Sequence, residues 1–101
     1  MVVINSFSEL LQMKDRLPDV GWLYVSPSFS LSSEEDILNG SYYIAENEGE
    51  EMDFEESYGT FLEAPIFKAI IDNKLEHSPA SGRAELLDAV RYYIENDDFQ
   101  D

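Results

Sequence analysis

Ten carboxylates between residues 34 and 56 are the groups in this chain best suited to chemistry, and no Lys or Arg interrupts them. Seven fall within eleven positions: Glu46, Glu48, Glu50, Glu51, Asp53, Glu55 and Glu56. Oxygen ligands at this density invite a test against calcium. An EF-hand loop needs acids at its first, third and fifth positions, Gly at the sixth and Glu at the twelfth. Counted from Glu46, the three acids fit, but the sixth position is Glu51 and the twelfth is Ser57. No dedicated metal site is expected. Two carboxylates on opposite sides of a cleft serve glycoside hydrolysis. Here the acids sit in one run rather than on separate rigid elements, and a chain this short has little room for a sugar cleft.

The other reactive types are sparse. His77 is the single histidine. It follows Glu76 near an expected helix end, with no Ser or Cys nucleophile motif to activate, and reads as a surface residue. The absence of cysteine removes thiol nucleophiles, disulfides and Cys-based zinc sites together. The five glycines are scattered and form no phosphate-binding loop. The sequence therefore points to no catalytic residue, no metal and no cofactor. What remains is the charge itself, −16 on 101 residues of which 44% are hydrophobic. Repulsion on this scale works against compactness, and its natural use is recognition of a basic partner. Solubility alone is the blander explanation.

The elements that must position these acids can be read from caps and periodicity. Ser6 and Glu9 form a capping box, in which Glu9 is expected to reach the Ser6 amide. Phe7, Leu10, Leu11 and Leu17 follow at helical spacing, with Lys14 and Arg16 in the last turn and Pro18 as the stop. Val2 to Ile4 is a short strand or an apolar lead-in. Gly21 to Val25 reads as a strand buried on both faces and hence central. Ser33 caps a helical turn through Leu38, ended by Asn39 and Gly40. Residues 41–45 read as a second strand, the acidic run as a loop, and 58–62 as a third strand. Pro65 opens a helix carrying Ile66, Phe67, Ile70, Ile71 and Leu75 on one stripe. Ser81 is the expected cap of a last helix that turns Leu86, Leu87, Ala89, Val90, Tyr93 and Ile94 inward, with Phe99 folding back on the core. Trp22, Tyr24, Tyr42 and Tyr43 are expected in the core. One of Tyr92 and Tyr93, and Phe54 or Tyr58 beside the acids, are the candidates for exposed contact residues, with core the better reading for most aromatics. The fold class is α+β: one domain over 1–101, with a small, largely antiparallel sheet of about three strands packed by three main helices.

Composition bounds the setting. The aromatic content, 13%, is too high for a disordered acidic tail. Residues 1–6 lack the basic and apolar regions of a signal peptide, and no apolar run approaches the roughly 20 residues that cross a bilayer. A cytoplasmic protein is expected, monomeric, touching neither membrane nor nucleic acid directly, because both would repel its surface.

The Gly21-Trp22-Leu23-Tyr24-Val25 strand, the acidic run after a short strand, and the ending Tyr92-Tyr93-Ile94-Glu95-Asn96-Asp97-Asp98-Phe99 resemble a family of small acidic bacterial proteins long described as a domain of unknown function. Some of its members look like immunity proteins of contact-dependent growth inhibition systems. The resemblance spans nearly the whole chain, but its motifs are core residues and a helix terminus, so it transfers no binding residue. It implies a single immunity-protein-like domain that binds and neutralises a basic protein toxin, a nuclease. Composition agrees, because a nuclease must present a basic cleft to phosphates and an acidic protein can occupy it. The contact surface is expected at Glu46, Glu48, Glu50, Glu51, Asp53, Glu55 and Glu56, with Glu34, Glu35 and Asp36 second. The alternatives are an acidic adaptor or nucleic-acid mimic acting on a non-toxin DNA-binding protein, and a small metal-dependent or carboxylate enzyme. Crowded carboxylates should on balance have raised pKa values, which would make the fold more stable near pH 5 than near pH 8.

Overall fold

A computed structural model describes residues 1–99 of the chain. The fold is α+β, and the sheet has four strands rather than three. The additional strand is β1 (Val2–Ile4), followed by β2 (Trp22–Val25), β3 (Tyr42–Ile44) and β4 (Gly59–Glu63). They lie in the order β1-β3-β2-β4, with every pair antiparallel. The central place of β2 follows from its composition: Leu23, Tyr24 and Val25 are buried in succession, so both faces of the strand need cover.

Register sorts the side chains. Val25 pairs with Tyr42 and Gly59, and Tyr42 with Ile4, so these share a face. Tyr24 pairs with Tyr43 and Thr60 on the other face. Between Tyr24↔Thr60 and Trp22↔Glu63, β2 has one residue and β4 has two. This bulge breaks the alternation of β4 and lets Phe61 and Leu62 both be buried.

The first face carries the main core. Ile4, Val25, Tyr42 and Phe61 meet Phe7 and Leu10 of α1 (Phe7–Gln12) and Ile37 of α2 (Glu34–Asn39). They also meet Phe67, Ile70 and Ile71 of α4 (Ala64–His77), and Leu86, Leu87 and Val90 of α5 (Arg83–Asn96). Phe7 and Phe67 meet edge to face at 6.1 Å. Each such side chain contributes about 1.5–3 kcal/mol by leaving water, so truncating Phe67 to Ala should cost about 3–5 kcal/mol.

Several local expectations need correction. Ser6 caps α1 by accepting from the Glu9 amide at 3.1 Å, but the Glu9 carboxylate accepts from Asn5, not Ser6. α1 ends at Gln12, where the Met13 amide bonds the carbonyls of both Glu9 and Leu10. A 3₁₀ turn at Lys14–Arg16 follows. Lys14 turns to Asp72 of α4 at 2.7 Å, so its charge ties two elements together instead of sitting on the α1 dipole. α5 starts after Gly82, whose amide donates to Glu85, while the Ser81 hydroxyl donates to the Ser78 carbonyl and is unavailable as a cap. Phe99 reaches back only to Tyr93, 5.5 Å between rings, and stays exposed. Of the adjacent tyrosines, Tyr93 packs on the core and Tyr92 faces solvent.

The largest correction concerns the acids. Residues expected as a loop form α3 (Glu48–Ser57). Asn47 caps it by accepting from the Glu50 amide at 2.9 Å, and Glu48, Glu50 and Glu51 occupy the first turn, where the helix dipole favours negative charge. α3 lies over the second face of the sheet. Its Phe54 is 6% exposed and packs on Tyr24 at 5.1 Å and Tyr58 at 4.9 Å. Tyr43 completes this satellite aromatic cluster, apart from the main core. The protein thus has three layers, with α3 alone on one side and four helices on the other.

Candidate functional site

The acids of the dense run do not act alike once α3 is formed. Phe54 is the one residue of α3 that is buried, so it fixes which face of the helix meets the sheet. Glu50 and Glu51, one turn earlier, flank that contact and are half-buried. Glu48, Asp53, Glu55 and Glu56 point to solvent.

Glu50 is engaged locally. Its carboxylate accepts from the Glu46 amide at 3.0 Å and from the Met1 ammonium at 2.9 Å. Glu46 also pairs with that ammonium, at 3.1 Å. The Glu46 amide and then the ammonium hold the Glu50 carboxyl below the usual carboxylate range, and the two carboxylates raise the Met1 amine above its ordinary value. For Glu50 this is opposite to the expectation for crowded acids. Glu46 and Glu50 therefore tether the start of α3 to β1. Glu48, Glu51, Asp53, Glu55 and Glu56 have no ion-pair partner among the described residues.

The second set is divided and lies elsewhere. Ile37 anchors α2 in the main core, where the Tyr42 hydroxyl donates to its carbonyl. Glu34, Glu35 and Asp36 are thus on the opposite side of the sheet from α3. Glu34 is 3.6 Å from Arg91, and Asp36 accepts from the Ser30 amide at 2.8 Å. The structure does not join the two sets into one surface.

None of the six Lys and Arg residues belongs to α3 or to the strands beneath it. Lys14 and Arg16 are in the 3₁₀ turn, Lys68 and Lys74 in α4, and Arg83 and Arg91 in α5. Lys14 and Lys68 both pair with Asp72, which compensates charge locally there. The α3 side has seven carboxylates and, apart from the Met1 amine, no cation.

Sequence reasoning missed two features of this side. Trp22, expected in the core, is 38% exposed, because it begins its strand next to the bulge and α3 does not extend over it. Val20 beside it is 79% exposed, and Met52 stands out of α3 among Glu48, Glu51 and Glu55. The second feature is a cleft of about 400 Å³ between residues 18–22 and the start of α3. Pro18, Val20, Trp22 and Tyr24 form its apolar wall, and Glu46, Glu48 and Glu51 its acidic rim. Gly21 shapes the approach: its φ of 101° is a conformation that other residues adopt only with strain, and its carbonyl accepts from the Ala64 amide at 2.9 Å.

Among the described residues no three carboxylate or imidazole groups converge closely enough to hold a metal ion. His77 ends α4, where its Nδ1 donates to the Asn73 carbonyl at 2.8 Å. No helix among the described residues is long and apolar enough to cross a membrane. The α3 face can offer unpaired carboxylates beside exposed apolar groups, an arrangement suited to binding a cationic surface.

A family model described as a domain of unknown function, DUF7716, matches residues 4–101. No curated protein and no solved structure matches the chain.

Proposed function

The chain belongs to the DUF7716 domain family, and we propose that it is an immunity protein. In this reading it binds a cognate basic toxin, a nuclease domain of a contact-dependent growth inhibition system, and neutralises it by occupying the active-site cleft. The carboxylates of α3 stand in for the phosphates the toxin would otherwise hold. No residue of the chain performs chemistry.

The observation that carries this reading is the one-sided charge. Five carboxylates without cation partners cover a face that has no Lys or Arg, while other elements hold all six. Elsewhere the six Lys and Arg are interspersed among the other fifteen of the 22 acids, whereas on the α3 face none is. Arg and Lys of a phosphate-binding cleft fit this face, and steering between the two can bring association to about 10⁸–10⁹ M⁻¹s⁻¹ at low salt. Exposed Trp22, Val20 and Met52 supply the apolar contacts that charge alone does not.

The test is capture from the native cell, using the wild-type chain and a variant with Glu48→Gln, Glu51→Gln, Asp53→Asn and Glu55→Gln. The expected partner is a basic protein whose nuclease activity falls in proportion to added wild-type chain and is spared by the variant. A partner that remains fully active in the complex, or a variant that inhibits as well as the parent, would overturn the reading. A DNA-binding partner without nuclease activity would favour the adaptor or nucleic-acid mimic instead.

A further inference from the structure

The Tyr24 hydroxyl is the one buried side-chain polar atom among the described residues with no hydrogen-bond partner. A group left dry and unbonded favours any state in which water can reach it. Tyr24 lies on the second face of the sheet, and it and Phe54 are the buried apolar residues that stand outside the main core. Their rings pack at 5.1 Å. Burial first, then the charges of Glu51 and Glu55, raise the Tyr24 pKa, so the carboxylates of α3 act on this hydroxyl. The helix that keeps water from Tyr24 is therefore α3.

That helix is a poor cover. Phe54 is the one buried side chain of its ten residues. Glu48 and Glu51, Glu51 and Glu55, and Asp53 and Glu56 stand three or four positions apart, where like charges repel along a helix. Glu55 and Glu56 fall in the last turn, which holds no basic residue, and the helix dipole disfavours negative charge there. What keeps α3 in place is the Phe54 contact, the Asn47 cap and the tether from Glu46 and Glu50 to Met1. A helix this short is marginal in water without its packing, so α3 unfolds as it undocks. The main core lies under the other face and includes neither Phe54 nor Tyr24, so it can outlast that motion.

We propose that α3 is a lid: in the free protein it opens as one unit while the rest of the fold persists, uncovering Tyr24, Tyr43 and Tyr58, and neutralisation of its carboxylates shuts it. Opening hydrates the Tyr24 hydroxyl and spreads the charges. Closing regains the ring contacts of Phe54 with Tyr24, Tyr43 and Tyr58. A basic protein that covers α3 would select the closed state, so docking and closure would favour each other. That consequence rests on the reading of the chain as a binder of a basic protein; the lid does not, and its test uses the free chain.

The test is amide hydrogen exchange read residue by residue by NMR, at about 25 mM salt to limit screening. The amides from Glu51 to Tyr58 should share one opening equilibrium, about tenfold or more above that of the slowest amides of β2 and α4. With Glu51→Gln and Glu55→Gln together, α3 should gain about threefold in protection. That gain should shrink at about 500 mM salt. The discriminating variant is Y24F, which keeps the ring. If water reaches the hydroxyl when α3 opens, removing the hydroxyl should raise α3 protection by about fivefold. A rise confined to β2 and α4 would mean that Tyr24 stays covered as α3 moves, and it would overturn the lid. So would α3 protection equal to that of β2 and α4 in the wild-type chain. Protection that stays level or falls in the double Gln variant would overturn the part given to charge. None of these results bears on whether a basic partner binds, so the lid and the proposed function fail separately.

Discussion

Single residues on the α3 face are tuned in opposite directions by their immediate contacts, and both directions can be measured. Glu50 is held below the ordinary carboxylate range by the Glu46 amide and then by the Met1 ammonium. A depressed folded pKa means that the contribution to stability is present above the unfolded value, about 4.3, and is lost as pH falls through the folded one. The Met1 amine is raised by Glu50 and Glu46. Its contribution is present below the unfolded value of about 8 and is lost as pH rises through the folded one. The tether between β1 and α3 should therefore be intact from about pH 5 to 8 and weaken at either end. Carbon-detected NMR titration of the Glu50 carboxyl should give a midpoint below that of a free glutamate; a midpoint above it would restore the expectation drawn from crowding. Tyr24 points the other way energetically. Replacing an unmatched buried hydroxyl by hydrogen, as in Tyr24→Phe, should raise the stability of the free protein by about 1 kcal/mol. A denaturant midpoint that falls in this variant would mean that the hydroxyl is satisfied within the fold.

At the scale of elements, α3 is held by little. Phe54 is its one buried residue, whereas α4 and α5 each bury four. Truncation of Phe54 to Ala removes the anchor of the satellite cluster. About 3 kcal/mol of stability should be lost, and hydrogen exchange should show α3 amides unprotected while those of β2, β3 and α4 persist. Uniform loss of protection across all elements would mean that α3 is integral to the main core. The same weakness explains why α3 was hard to read from sequence. Hydrophobic periodicity signals a helix that buries a stripe, and one apolar contact in ten residues leaves no stripe. The cap was nonetheless visible: Asn47 with Glu50 three residues on is a helix-start pattern. Elements that bury a stripe or a continuous run, such as α4 behind Pro65 and β2 from Leu23 to Val25, were legible for that reason. Within β2, the unbroken aromatic and aliphatic run hid the one residue that differs, since Trp22 owes its exposure to the bulge and to the position of α3. For β1, three residues long, the apolar run Val2 to Ile4 left a strand and a lead-in both open, and pairing with the edge of β3 decides for the strand. The acids were legible as a charge but not as a surface. Only folding shows that Glu46 and Glu50 are tethers and that Glu34 to Asp36 lie beyond the sheet.

For the whole molecule, the central claim is that a segregated negative face captures a basic cleft through long-range attraction. The whole molecule is negative, with six cations among the fifteen acids outside the dense run, and the α3 side is distinguished by carrying no Lys or Arg to offset its seven. Short-range contacts at Trp22 and Met52 should then govern how long the complex lasts, so the two rate constants should respond differently to salt. The most direct measurement is stopped-flow association with the captured basic partner, followed by Trp22 fluorescence, between about 50 and 500 mM salt. The association rate should fall by about tenfold or more across that range while the dissociation rate changes several-fold less. An association rate that stays flat would contradict electrostatic capture and leave the charge of α3 without the role assigned to it.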